Sequence, residues 1–182
     1  MSQLPINFDN IAYQNRVIIA NGDVNEELEK HVITAIMDYN RKDENIEVRE
    51  PITFMINSSG GLVSSAISIC NTIFKSKTPV MTVNTGLSAS AATLILVSGQ
   101  KRFAYEHSFV MLHSMEAGSW GVVDNITSRA EYLKRLEDEL TDIYRKRTKL
   151  PKQIYKDIME RHLEVYLSAK EALKYGLIDE II

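Results

Sequence analysis

Residues 52–62 read I-T-F-M-I-N-S-S-G-G-L, an apolar run that passes through a short polar stretch into two adjacent glycines. The run at 52–56 is short, continuous and apolar, which is typical of a strand buried on both faces. Apolar residues then recur at helical spacing from about residue 62 to residue 74, which predicts a helix directly after the glycines. A buried strand that turns into a helix is the repeating unit of a parallel α/β sheet.

The same alternation extends in both directions along the chain. Asp23 and Glu26 form the pattern of a helix N-cap, and the helix that follows is expected to end near Asn40. The stretch T-G-L-S-A-S-A-A at 85–92 is expected to open another helix, which reaches about Val97. Short apolar runs predict further strands at residues 16–20, 80–83, 102–104 and 109–112. Strands that alternate with helices indicate right-handed βαβ crossovers and a mainly parallel sheet.

A longer amphipathic segment follows at about 124–148, with apolar residues at three- and four-residue spacing and charged residues on the other faces. A single helix of this length exceeds the common range, so its far end is expected to project and contact a partner chain. The alternative is that it lies along the same core. Pro151 ends this segment, a shorter helix is predicted at 152–161, and S-A-K-E at 168–171 predicts the N-cap of a final helix that ends at Gly176.

Composition indicates an average globular domain. The 182 residues include 21 basic and 24 acidic side chains, and the net charge of −3 predicts no nucleic-acid partner. The longest apolar stretch, around 91–97, is far shorter than the roughly 20 residues of a membrane span, so no membrane partner is expected. One cysteine, Cys70, and an N-terminus without a signal-peptide pattern predict a cytoplasmic location. Residues 1–15 lack clear periodicity and are expected to be a leader before a single domain at 16–182.

Neither a metal site nor a phosphate-binding loop is predicted. The four histidines and one cysteine show no C-x-x-C, H-x-x-x-H or H-E-x-x-H spacing. The stretch N-S-S-G-G has no lysine and matches neither common phosphate-binding glycine pattern. The residues therefore suggest chemistry without a metal or an organic cofactor.

Chemistry is instead expected at two strand-to-helix turns, at 60–61 and at 86–92. Parallel sheets bind ligands at the carboxyl ends of their strands, where both turns fall. Adjacent glycines let the backbone approach a ligand closely, and free amides at a helix N-terminus favour a developing oxyanion. An ordinary turn with a helix cap is the alternative interpretation of such a glycine pair.

Two serines and one histidine are candidates for nucleophilic catalysis. Ser88 and Ser90 stand among glycine and alanine residues, which leave room for an acyl substrate at either hydroxyl. The residues alone do not choose between them, and both serines are also compatible with helix caps. His113 follows the apolar run F-V-M-L, at a predicted strand end from which a general base could reach a serine. A structural histidine is the alternative there.

Five segments carry a more specific pattern. They are R-V-I-I-A-N-G-D-V, F-M-I-N-S-S-G-G-L, T-G-L-S-A-S-A-A, K-R-F-A-Y-E-H-S-F-V-M-L-H and Y-L-S-A-K-E-A-L-K-Y-G-L-I-D-E-I-I. Each is similar to a motif of the Clp protease proteolytic subunits, the ClpP family, and the five occur in the family's order. By this resemblance, which runs from about Arg16 to Ile182, the chain is identified as a member of that family.

The resemblance implies the α/β ClpP/crotonase-like fold, a βαβ superhelix with a mainly parallel sheet and a projecting helical handle at about 115–150. It also implies a serine endopeptidase that cleaves unfolded proteins or peptides through an acyl-enzyme. Ser90 falls at the position of the family's nucleophile and His113 at that of its general base. The backbone amides of Gly61 and Ala91 fall at its oxyanion positions.

The third member of the family's triad is an aspartate, and the corresponding residue here is Glu164, in E-V-Y-L-S-A. A glutamate can orient the imidazole and stabilise its charged form, although its extra methylene changes the geometry. Glu160 or Asp157 takes this position instead if the stretch contains a small insertion. Other differences from the family pattern include Ser59 in place of proline.

The resemblance further implies a homo-tetradecamer of two stacked heptameric rings, with an AAA+ unfoldase ATPase as a separate partner. The segment before Arg16 is shorter than the family's axial region, which leaves docking to an unfoldase open. Two other functions remain as alternatives. One is a non-catalytic or regulatory ring subunit, and the other is a crotonase-type acyl-CoA enzyme, which shares the fold and the oxyanion hole.

Overall fold

A computed structural model of the chain describes residues 8–116 and 122–182. Its elements are α1 (Phe8–Gln14), β1 (Val17–Asn21), α2 (Glu26–Lys42), β2 (Ile52–Ser58), α3 (Val63–Lys75), β3 (Val80–Ala89), α4 (Ala91–Ser98), β4 (Lys101–Ala104), β5 (Phe109–Leu112), α5 (Val123–Arg147), α6 (Lys152–Met159), β6 (Val165–Ser168), α7 (Ala169–Lys174) and β7 (Glu180–Ile181). The strands form one sheet in the order β1-β2-β3-β4-β7, with β5 beside β3 and β6 beside β5. Only the β5–β6 pair is antiparallel among these pairings, so the predicted mainly parallel α/β fold is confirmed.

The central strands β2 and β3 lead directly into the helices α3 and α4. Every residue of α4 is buried, in keeping with its continuous apolar sequence A-A-T-L-I-L-V-S. Because β2 and β3 are parallel neighbours, their carboxyl ends meet at one edge of the sheet. The turns that precede α3 and α4 therefore lie side by side.

Strand β3 is longer than the sequence predicted. It continues to Ala89 and α4 begins at Ala91, so the expectation that T-G-L-S-A opens a helix was wrong. Small residues have only weak preferences for strand or helix, so pairing with the neighbouring strands determines the conformation of this stretch. Ser88 pairs with Ser58 on β2 and with Val110 on β5, which keeps this part of the chain extended.

Three further features differ from the sequence predictions. The stretch expected to lack regular structure contains α1, while residues 1–7 lie outside the described residues. The cap of α2 is Asn25 rather than Asp23, and its side chain accepts a hydrogen bond from the amide of Leu28 at 2.9 Å. Strand β6 was missed because it is short and is defined by its pairing with β5. The capping box at Ser168 is confirmed.

Helix α5 packs on the core through its C-terminal half. Leu140, Ile143 and Tyr144 contact the core cluster, and the Arg147 guanidinium donates to the carbonyl of Val97 at 2.9 Å. From residue 124 to residue 135 every side chain of the helix is exposed except those of Ile126 and Leu133, which are half-buried. This chain therefore leaves the first half of the helix uncovered, and residues 117–121 of the expected handle lie outside the described residues. None of the helices within 8–116 and 122–182 is long and apolar enough to cross a membrane.

Candidate active site

Ser90 lies at the turn between β3 and α4 with a strained backbone. Its φ of 54° and ψ of −123° are a combination that residues with a side chain rarely adopt, at a cost of about 1–3 kcal/mol. Its amide donates to the carbonyl of Met111 and its carbonyl accepts from the amide of Thr93, both at 3.0 Å. Within the described residues its hydroxyl does not cap α4, and Ser90 lines an adjoining cavity.

Thr93 supports the Ser90 turn and was missed by the sequence analysis. Its buried hydroxyl lies 2.7 Å from the carbonyl oxygen of Ser88 and 2.8 Å from that of Met111. One acceptor precedes the turn and the other belongs to the neighbouring strand, so Thr93 ties both to the start of α4. The sequence feature that could have identified Thr93 is its position as a single polar residue inside the apolar run A-A-T-L-I-L-V.

Gly60, in the turn after β2, packs directly against the Ser90 turn. A Cβ atom at Gly60 would lie 2.8 Å from the carbonyl oxygen of Ala89 and 2.8 Å from the Cβ of Ser90, closer than real Cβ contacts occur. Its φ of +103° also favours glycine. A Cβ atom at Gly61 would lie even closer to the carbonyl oxygen of Val24. The two turns that the sequence analysis singled out separately therefore form one site.

Two backbone amides at this site, those of Gly61 and Ala91, have no acceptor in the described part of the chain. Ala91 is the first residue of α4, so its amide has no acceptor inside the helix. Neither this amide nor that of Gly61 donates to an acceptor within residues 8–116 and 122–182. Gly61 and Ala91 line the same cavity as Ser90. Free amides beside a helix N-terminus can stabilise the oxyanion that forms during acyl transfer.

His113 directly follows β5 and reaches the Ser90 turn. Its Nε2 lies 2.7 Å from Ser90 Oγ, and its side chain is 18% exposed. The parallel pairing of β5 with β3, in which Met111 stands beside Ala89, places the residues after both strands together. An imidazole hydrogen-bonded to a serine hydroxyl can accept its proton during nucleophilic attack.

Ser88, the other serine considered, lies in a different environment. It is fully buried within β3 and does not line the cavity. Its hydroxyl has no hydrogen-bond partner in the described part of the chain. The structure therefore brings His113 to Ser90 and leaves Ser88 inside the sheet.

The structure does not bring the three candidate carboxylates into contact with His113. The carboxylate of Glu164 accepts a hydrogen bond from the Tyr166 hydroxyl at 3.0 Å. Asp157 accepts hydrogen bonds from the side chains of Arg161, at 3.0 Å, and Gln153, at 2.8 Å, which hold the pKa of its carboxyl below the usual range. Glu160 lies 3.9 Å from the Lys156 ammonium.

Strand register nevertheless places Glu164 next to the site. Leu112 pairs with Val165 in the antiparallel β5–β6 ladder, so one further step sets His113 opposite Glu164. The carboxylate that lies nearest to His113 in the described residues is that of Glu116, 3.9 Å from Nδ1. No group of three or more His, Cys, Asp or Glu side chains in the described ranges could hold a metal ion.

A cavity of about 300 Å³ opens beside Ser90. Ser90, His113, Gly61 and Ala91 form one side of it. Most other walls are apolar and come from α3, α4, β5, α5, α6 and the loop between α5 and α6: Val63, Ala66, Leu94, Leu112, Leu140, Tyr144, Leu150, Tyr155, Ile158 and Met159. Burial raises the pKa of both tyrosines, so their hydroxyls are neutral at physiological pH. The cavity can accept an apolar group of a substrate whose carbonyl lies at Ser90.

The chemistry that this geometry supports best is that of a serine hydrolase, in which an imidazole activates the hydroxyl and backbone amides receive the oxyanion. Comparison with known proteins then identifies the family. The family model described as Clp protease matches residues 5–182. The chain therefore belongs to the Clp protease family and is a serine-type peptidase.

Curated relatives agree with this assignment. A protein named ATP-dependent Clp protease proteolytic subunit from Pleurastrum terricola is 35% identical over 169 residues, 92% of this chain and 83% of the relative. Proteins of the same name from Deinococcus radiodurans and Oltmannsiellopsis viridis are each 31% identical. Those two matches span 93% and 94% of this chain, and 81% and 86% of the respective relatives.

The contact between Gly60 and the Ser90 turn can be tested by substitution. Gly60→Ala is expected to lower the free energy of unfolding by about 3 kcal/mol, because a methyl group must displace the turn and the φ is unfavourable. It is also expected to slow the labelling of Ser90 by a fluorophosphonate at least tenfold. Gly22→Ala is the matched control, since Gly22 has a φ of +112° but nothing within 4 Å of its Cβ position. Equal labelling rates in the two variants would contradict the prediction.

The backbone strain at Ser90 can be tested by comparing the stabilities of two variants. Ser90→Gly is expected to be about 1 kcal/mol more stable than Ser90→Ala, because glycine adopts this φ and ψ at little cost and alanine does not. Urea unfolding of both variants at equal protein concentration measures the difference. Both lack the hydroxyl, so the comparison isolates the backbone. A glycine variant no more stable than the alanine variant would show that the turn is unstrained.

Proposed function

We propose that this chain is a serine endopeptidase subunit that cleaves unfolded proteins or peptides, with Ser90 as nucleophile and His113 as general base. The observation that carries the proposal is the 2.7 Å distance between Ser90 Oγ and His113 Nε2, at the mouth of an apolar cavity. The names of the curated relatives support the reaction, and the geometry supports the choice of residues.

In the first half of the reaction, Ser90 Oγ attacks the carbonyl carbon of the scissile peptide bond while His113 Nε2 accepts the hydroxyl proton. The amides of Gly61 and Ala91 donate hydrogen bonds to the oxyanion. The C–N bond then breaks, and the leaving amine takes the proton from His113. An acyl group remains on Ser90.

In the second half, His113 accepts a proton from water as the water oxygen attacks the acyl carbon. The tetrahedral oxyanion again receives hydrogen bonds from the two amides. Its collapse breaks the bond to Ser90 Oγ, which regains the proton from His113. The products are an amine and a carboxylic acid, and the steps use only groups of this chain and water.

We assign the third, carboxylate position to Glu164. The β5–β6 register supports this choice, since continuing it by one residue past Leu112 and Val165 would set Glu164 opposite His113. A carboxylate there stabilises the imidazolium that forms when His113 accepts a proton. Asp157 and Glu160 have less support because their carboxylates form ion pairs with Arg161 and Lys156, each four residues away in the chain, and no register among the described strands relates them to His113.

The nucleophile can be tested with a fluorophosphonate and a short fluorogenic peptide. Ser90→Ala is expected to lower kcat/KM at least about 1,000-fold and to prevent the adduct, because among the described residues the only hydroxyl hydrogen-bonded to His113 Nε2 is that of Ser90. Ser88→Ala is the matched control and is expected to keep both labelling and activity. Intact-mass analysis locates the adduct. Labelling of Ser90→Ala, or its loss in Ser88→Ala, would contradict the assignment.

A non-catalytic ring subunit is the second candidate function. The relatives are named as proteolytic subunits, which does not favour it. The fluorogenic-peptide assay of the wild-type chain separates the two candidate functions, because a non-catalytic subunit would show no peptide cleavage when assembled alone.

The assembly is also a proposal. We propose a homo-tetradecamer of two heptameric rings in the cytoplasm, which an AAA+ ATPase supplies with unfolded substrate. Its subunit comprises an axial leader at 1–15 and one domain at 16–182, with a handle at about 115–150 that joins the rings. The uncovered first half of α5 supports a contact between subunits there, and the relatives' name, ATP-dependent, supports an ATPase partner.

Native mass spectrometry tests this assembly. We expect a species of fourteen subunits of 20.7 kDa each. Leu133→Lys, in the uncovered half of α5, is expected to yield seven-subunit species, because a charge replaces an apolar contact between rings. Lys134→Ala, on an exposed face of the same helix, is the control and should keep fourteen. A monomeric wild-type chain would contradict the proposed assembly.

A further inference from the structure

The Glu164 carboxylate has two potential partners in this fold. Tyr166 donates its hydroxyl hydrogen to Glu164 Oε2 at 3.0 Å. Glu164 immediately precedes β6 and Tyr166 is the second residue of that strand, so in an extended chain their side chains lie on the same side. This hydrogen bond with an acidic neighbour raises the pKa of Tyr166, which keeps the hydroxyl protonated and able to donate.

His113 is the second partner. The β5–β6 ladder pairs Met111 with Tyr166 and ends at Leu112 and Val165, so continuing its register by one residue would set His113 opposite Glu164. Side chains opposite each other on an antiparallel pair have Cβ atoms about 5 Å apart, within reach of a glutamate carboxylate. Glu164 can therefore bond to Tyr166 along its own strand or to His113 across the ladder.

In the present geometry the carboxylate bonds to Tyr166, and His113 Nδ1 has no carboxylate at hydrogen-bond distance among residues 8–116 and 122–182. The nearest oxygen belongs to Glu116, at 3.9 Å, and the Glu116 side chain is 85% exposed. Nε2 of His113 already faces Ser90. The nitrogen that a third carboxylate would stabilise is therefore unoccupied while Tyr166 holds Glu164.

We propose that Tyr166 is a positioning residue that competes with His113 for the carboxylate of Glu164. The inference rests on the proposed function. Before the reaction the imidazole is neutral, and Glu164 bonds to the tyrosine hydroxyl. When His113 takes the Ser90 proton it becomes a cation. A hydrogen bond between two charged groups is stronger than a hydrogen bond between a carboxylate and a neutral hydroxyl. Glu164 then moves to His113, and loss of the Tyr166 bond adds to the barrier of the chemical step.

The experiment is a double-mutant cycle on the peptidase activity of the assembled protein. Tyr166→Phe is expected to raise kcat about three- to tenfold with KM unchanged, because Glu164 is freed before the reaction begins. The Tyr166 side chain is 57% exposed, and phenylalanine retains its ring. Glu164→Gln is expected to lower kcat at least tenfold, because the imidazolium loses its countercharge.

The cycle distinguishes competition from a structural effect. In the Glu164→Gln background, Tyr166→Phe is expected to leave kcat unchanged, since the carboxylate for which Tyr166 and His113 compete is absent. Glu116→Gln serves as the control for the other carboxylate near His113 and is expected to keep kcat within twofold. A Tyr166→Phe variant with equal or lower kcat, or with a raised kcat in the Glu164→Gln background, would overturn the inference.

The two levels of proposal fail in different ways. Inactive wild-type protein, or an active Ser90→Ala variant, would overturn the proposed function and the inference with it. A wild type that depends on Ser90 but is not accelerated by Tyr166→Phe would overturn the inference alone.

Discussion

The close approach of Gly60 to the Ser90 turn is the constraint on which the site depends. Parallel pairing of β2 and β3 places their two turns side by side, and only a glycine leaves room for the strained serine beside it. The same contact sets the free amides of Gly61 and Ala91 beside the hydroxyl. Thr93 holds the turn from the core side. The strain at Ser90 is therefore supported by strands that are buried and tightly paired.

The parts of the site differ in how firmly the fold holds them. Ser90 and His113 follow central, paired strands, which keeps their separation well defined. Glu164 immediately precedes the four-residue strand β6, and its carboxylate bonds to Tyr166 rather than to His113. The cavity wall formed by α5 belongs to a helix whose first half is uncovered in this chain. Nucleophile activation is built into the core, whereas orientation of the imidazole and assembly depend on elements at its edge.

Sequence patterns predicted most of this fold because buried parallel strands and apolar helices have strong local signals. The strand at 52–56, the long helix at 124–148 and the Ser168 cap were all expected. These patterns gave wrong or missing predictions where pairing with neighbouring strands, rather than the local sequence, determines the conformation of the chain. The second half of β3 consists of small residues, and β6 has four residues, so neither has a clear periodicity. The motifs indicated the family, and the match of the Clp protease model to residues 5–182 agrees.

The sequence by itself determined the parallel α/β class, the two candidate turns and a short set of candidate groups, because hydrophobic periodicity and glycine placement are local properties. Residue spacing left Ser88 and Ser90 equivalent, since both stand among small residues, and the resemblance to the Clp protease family favoured Ser90. The tertiary structure supplies the physical reason: strand pairing buries Ser88 between β2 and β5, and the turn sets Ser90 Oγ 2.7 Å from His113. The hydrogen bond between Glu164 and Tyr166 was likewise shown only by the structure, and the β5–β6 register brings the neighbouring Val165 beside Leu112, a residue far away in the chain.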